Sequence, residues 1–194
     1  MAAGADDGQT IGLYVVAMSA LFFLAFAYFA VGQAAVVRNT AQTAADSAAL
    51  AAARADRDAV HDPFLAALAA GDLHQLDILL QHLSTHSDQA CGAAETYAAD
   101  NDAQVTGCET VDGPVGHKVD ARSLGTVGKS VVKGTDDIHM SAEATAVVKP
   151  RCATNGKDGD LVRFLCNGDE ITVDPKADGF TLDLSTFYTV QLSE

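Results

Sequence analysis

From Ile11 to Val37 the chain runs for about 27 residues without a charge, against the ~20 apolar residues needed to cross a bilayer. A helix packed in a soluble core does not stay apolar on all faces over that length. A secretory signal has a basic start and an apolar stretch of about 7–15 residues; this run is longer and its leader, MAAGADD, is acidic. The pattern predicts a membrane span over 11–37.

Past Val37 the pattern changes instead of stopping. Ala41, Ala44, Ala45, Ala48, Ala49, Ala52 and Ala55 recur at three- and four-residue steps. Alanine is the best helix former, and small residues let backbones approach closely. The helix is expected to continue to about Val60, on the order of 75 Å at 1.5 Å per residue. Ala41, Ala45, Ala48 and Ala52 are then helix-packing positions, facing other subunits or membrane partners and in part the chain's own head. Gln42, Asp46, Arg54 and Asp58 are assigned to wetter faces, and His61-Asp62-Pro63 to the helix end, because the residue before a proline avoids helix geometry.

The remainder predicts a head. Pro63 to Ser84 has helical spacing broken at Gly71-Asp72, a short helix and then a longer one; Asp88 to Asp100 predicts another. Strand-like alternation follows in AQVTGCETV, GHKVDARSL and HMSAEATAVVK. LVRFLCNGDEITVD predicts a hairpin across Asn167-Gly168, FYTVQLSE a last strand, and Gly156 to Gly159 a loop tip. The organisation is a short leader (1–8), a long N-terminal helix (9–60) and an α+β head (61–194) with helices and an antiparallel sheet.

Charge narrows the partners. With 12 Lys+Arg against 26 Asp+Glu the net charge is −14, which disfavours nucleic acid, whose phosphates need a basic footprint, and anionic lipid surfaces. Cys91, Cys108, Cys152 and Cys166 form no C-x-x-C pair, against a zinc knuckle or thioredoxin-like motif. An even count at loop-sized spacing in a membrane-tethered chain predicts two local disulfides, Cys91–Cys108 and Cys152–Cys166, on the oxidising side of the membrane. Arg38, Arg54 and Arg57 follow the span and nothing basic precedes it, which by the positive-inside rule places the head in the cytoplasm. The cysteines outweigh three arginines here, so the head is expected to be extracytoplasmic.

Catalytic and metal motifs are weak. His82 and His86, with His74 or Asp77 nearby, have zinc-compatible spacing but lack the H-E-x-x-H glutamate. NGKDGDL from Asn155 has calcium-loop content without the register or terminal glutamate, and reads as a turn. No nucleophile-elbow or acyl-transfer motif frames the serines. No cofactor, metal or enzymatic activity is expected.

A half-embedded, half-exposed helix followed by a small head resembles a type IV pilin. VVRNTAQTAADSAALAAARADRD is similar to the R-x-x-x-Q-x-A-A-D-x-A-A-L-A-A-A stretch of TadE/TadG-like Flp pilus-assembly proteins, and AAETYAADNDAQVTGCETVDGPVGHKVDARS resembles the same family's helix, Asn-rich turn and Cys-bearing strand. The resemblance implies a leader cut after a glycine, with glutamate fifth and tyrosine sixth in the mature chain. A cut after Gly8 makes Gln9 the new terminus and places Tyr14 sixth, but Leu13 fifth. Cuts after Gly4 or Gly12 supply no acid either. The family's glutamate pairs with a neighbour's amine, so its absence implies a minor, tip-proximal or membrane-retained subunit whose partners are other pilin-like subunits or pilus-assembly membrane proteins. DLSTF at Asp183 lacks the second serine of the D-x-S-x-S metal site of some TadG-like relatives. The alternative is a membrane-anchored extracytoplasmic binding module with the helix as tether; a tether does not need the alanine stripe beyond the membrane.

Overall fold

The computed structural model describes residues 9–81, 87–111, 113–128, 134 and 136–193. A single helix, α1 (Gln9–Ala59), runs for 51 residues and joins α2 (His61–Ala70) through the one non-helical residue Val60. α1 thus ends beside the expected stop, but a new helix begins at once and takes in Pro63. The proline falls in the first turn of α2, where a missing N–H costs nothing, and Phe64 N donates to the Val60 carbonyl at 2.9 Å. Gly71, with φ of 63°, closes α2 in the left-handed conformation. Asp72 N–H bonds back to Ala67 O at 3.0 Å, satisfying the helix end. The Asp72 carboxylate then accepts from Gln75 N at 3.0 Å to start α3 (Leu73–Gln81). The described part of α3 is no longer than α2; Ser84 lies outside the described residues. α4 spans Ala90–Ala99.

The strands form two sheets where one was expected. β1 (Ala103–Thr110), β2 (Gly116–Thr126), β3 (His139–Pro150) and β7 (Tyr188–Ser193) build an antiparallel sheet in the order β1-β2-β3-β7. β4 (Cys152–Asp158), β5 (Leu161–Cys166) and β6 (Asp169–Val173) build a second, in the order β4-β5-β6. The chain changes sheet at Arg151, directly after Pro150 ends β3; Arg151 N donates to Phe187 O at 2.8 Å. The stretch expected as a loop tip at 156–159 is mostly strand. A bulge between Thr154 and Lys157 takes up the turn-prone Asn155-Gly156, with Gly156 at φ of 96°. The hairpin at Asn167-Gly168 forms as expected, with both residues at positive φ, 52° and 98°. At Gly116 a Cβ would run into the Ala146 carbonyl and lie 2.8 Å from Val147 Cα, so only glycine lets β2 begin this close to β3.

Two packing regions share one core. The C-terminal half of α1 lies against β2, β3 and α4, its buried alanines meeting Ala90, Ala94 and Ala98 of α4 and Val119 and Ala121 of β2 in one cluster. At the other end, Phe64 of α2, Phe164 of β5 and Phe187 gather with centroids 4.8 and 4.9 Å apart about Phe187. Tyr188 joins edge-on to Phe64 at 6.2 Å. Burial pushes the Tyr188 phenol upward, and its hydroxyl donates to Leu79 O at 2.9 Å, as a buried phenol must. Asp77, a candidate ligand in sequence, accepts from Thr154 Oγ1 at 2.7 Å and fastens α3 to β4.

Candidate functional site

The candidate functional surface is α1, which changes character at Val37. Residues 10–36 are almost wholly outside the fold: Leu13 is 72% exposed, and Tyr14, Phe22, Phe26 and Phe29 are similarly bare. The apolar window has mean hydropathy 2.2 and none of it is buried. At about 1.5 Å per residue this free length exceeds the ~30 Å hydrocarbon layer. One N-terminal helix long and apolar enough to cross a membrane is therefore present. From Val37, 8% exposed, the helix enters the head.

The alanine stripe is consumed there. Ala41, Ala45, Ala48 and Ala52 have no exposed surface, and Ala44, Ala49 and Ala53 are equally covered. Of the two expected roles, packing on the chain's own head is the one seen here: their small side chains let the sheet and α4 close onto the α1 backbone. Ala55 is only half-buried, and the stripe passes to Asp56 in its place.

Asp56 is a buried charged residue that the sequence reading missed. Fully buried, its Oδ1 accepts from Ser87 N at 2.7 Å and its Oδ2 lies 2.9 Å from Nε2 of His117 on β2. His117 is 2% exposed. Its other nitrogen, Nδ1, faces Cys108 Sγ at 3.9 Å. Cys108 on β1 is bonded to Cys91 on α4, so one cluster ties α1, α4, β1, β2 and the segment entering α4. The available signal was spacing: Asp56 follows Ala52 by four residues, on the buried face.

The second disulfide, Cys152–Cys166, joins directly paired positions of β4 and β5. All four cysteines are thus paired as expected. Asp183 turns inward on its own loop: Ser185 N and Ser185 Oγ both donate to its carboxylate at 2.8 Å. Those two bonds hold its carboxyl below the ordinary value. The D-x-S motif here is a cap on the 3₁₀ turn Leu184–Thr186. Of the processing residues, Leu13 and Tyr14 lie on the free helix, Gln9 opens α1, and Gly8 lies outside the described residues. His82 and His86 also lie outside them.

Residues 8–55 match the family model described as "Putative Flp pilus-assembly TadE/G-like". The match takes in the free apolar length and the docked stripe as far as Ala55, and supports a role in pilus assembly in general terms. No curated protein and no solved structure matches the chain.

Proposed function

We propose that the chain is a structural or assembly component of a type IV, Tad/Flp-like pilus or related envelope filament, in a minor or tip-proximal position. The observation that carries this reading is the family match over 8–55, on a helix whose apolar window is not buried in the fold. Residues 11–37 hold the chain in the cytoplasmic membrane as a single pass. The head stands outside, where its two disulfides are stable. Its work is structural and not catalytic.

Leu13 sets the position in the filament. A subunit in a shaft buries its N-terminus among neighbours, where an unpaired amine is costly, and leucine offers no carboxylate to pair with one. Such a subunit belongs at an end of the filament or in the membrane below it. Quantitative mass spectrometry of sheared filaments tests this, reading stoichiometry and the N-terminal peptide together. Low abundance relative to a small pilin is expected. A dominant shaft share, with an N-terminus at Gln9, refutes the minor role.

The tether reading gains one observation, the burial of the stripe in the chain's own head, which removes the need for a partner there. Deleting the gene separates the two: lost piliation supports the assembly role, and intact pili with a lost binding phenotype support the tether.

A further inference from the structure

We propose that the dithiol form of the chain binds one zinc ion through Cys91 Sγ, Cys108 Sγ and His117 Nδ1. The three ligand atoms come from α4, β1 and β2 and lie within 4.8 Å of one another. Zinc takes thiolate sulfur at about 2.3 Å and imidazole nitrogen at about 2.0–2.1 Å in tetrahedral geometry. Those lengths put sulfur and nitrogen about 3.6 Å apart around one ion, and Cys108 Sγ and His117 Nδ1 are already 3.9 Å apart. The two sulfurs have to separate, and Cys91 Sγ has to settle at the same range from the imidazole, within a cluster already no wider than 4.8 Å.

The histidine is held as a zinc ligand is held. Its Nε2 faces Asp56 Oδ2 at 2.9 Å, leaving Nδ1 directed at sulfur. A carboxylate behind the far nitrogen fixes the orientation of the ring. Asp56 is itself oriented by Ser87 N, so the support is built two residues deep. Cys91 and Cys108 are each half-buried, which leaves solvent a route to the site and a fourth position open to water. Cys91 Sγ also lies 3.7 Å from the Cys108 carbonyl, as Cys152 Sγ lies 3.5 Å from that of Thr186, but among the described residues only the Cys91–Cys108 pair is joined by a histidine in a ligand group.

The disulfide and the zinc site exclude one another. A dithiol reductant transfers two electrons and two protons to the Cys91–Cys108 bond and becomes a disulfide itself; two thiols result. Zinc then replaces the two thiol protons, which pass to solvent. A newly made chain that has not met an oxidant needs no reductant. Sequence spacing hid the site, because the ligands are brought together by the helix-to-strand contact and not by a C-x-x-C turn.

The test is zinc titration of the full chain in detergent micelles, oxidised and phosphine-reduced, against a chromophoric chelator. Cobalt serves as the spectroscopic probe for thiolate ligation. One equivalent is expected in the reduced chain and none in the oxidised one. Asp56→Asn should weaken binding by about 10–100-fold, and Cys91→Ser with Cys108→Ser should abolish it. Binding that survives that double variant, or that is unchanged in His117→Ala, overturns the proposal. So does a reduced chain that takes up no zinc, whether it stays folded by circular dichroism or unfolds and is not restored by the metal.

Discussion

Nε2 of His117 lies 2.9 Å from Oδ2 of Asp56, joining the second strand of the sheet to the long helix with both side chains buried. Removing one partner leaves a buried polar group stranded and costs about 1–3 kcal/mol, more where that group is charged. Asp56→Ala should lower stability by about that amount, and His117→Ala should be similar. Thermal denaturation of the disulfide-intact chain measures both; a loss near zero in each shows that the pair is not part of the head's stability.

The alanine stripe gives a second expectation, opposite to what a partner-facing stripe would give. Leucine at Ala45, Ala48 or Ala52 has no space to enter, because each is wholly covered by the same chain. Each substitution should destabilise the head by about 1–3 kcal/mol through overpacking. Chemical denaturation of the single variants checks this. A head of unchanged stability that fails to assemble would return the stripe to an intermolecular role.

The disulfides should each contribute about 3 kcal/mol in the chain-entropy model for loops of this size. Cys91–Cys108 joins a helix to a strand, whereas Cys152–Cys166 lies across neighbouring strands already in register. Non-reducing peptide mapping of protein from intact cells should recover both pairs. Four free thiols there would contradict both the bridges and an extracytoplasmic head.

Asp183 supplies a pH dependence. Its carboxyl is held below the ordinary aspartate value, first by the Ser185 hydroxyl and then by the Ser185 N–H. A carboxyl lowered in the folded state stabilises above its unfolded value, and that contribution is lost as pH falls through the folded one. The stability difference between wild type and Asp183→Asn should therefore be constant at neutral pH and shrink below about pH 4. Acid titration followed by circular dichroism reads this; a difference that grows on acidification contradicts the sign.

Leu13→Glu tests the filament position. A carboxylate placed in lipid without a paired amine is expensive, so the substitution should be neutral or harmful to membrane retention and assembly. Quantification of the variant in membranes and sheared filaments measures it. A rise in filament share would show that a neighbour's amine was waiting there.

The elements with strong local signals were legible: the apolar helix, the Asn167-Gly168 hairpin, the alternating strands and the cysteine pairs. Three things were not. β4 was hidden because Asn155 and Gly156 have turn chemistry, and the strand tolerates them only by bulging. The division into two sheets depends on the exit at Arg151, a single residue after Pro150. Asp56 was hidden because a charged residue on a helix ordinarily faces water, and its partner His117 lies across the fold where no local periodicity reaches. Asn101 is a similar case: its side chain bonds Ser47 Oγ at 3.1 Å, holding the end of α4 to the long helix.

The continuity of α1 across Val37 has a mechanical consequence. The free half and the docked half are one hydrogen-bonded rod. Tension applied near Leu13 reaches Ala48 with no hinge between them. It loads the seam from Val37 to Val60 in shear, so the many small contacts along it resist together and do not peel in turn. Torque is carried as well. Advancing the helix by one residue turns it by ~100°, which would swing the methyl face out of its groove and draw Asp56 away from His117. The free half therefore cannot spin or slide against the head without first unlocking it.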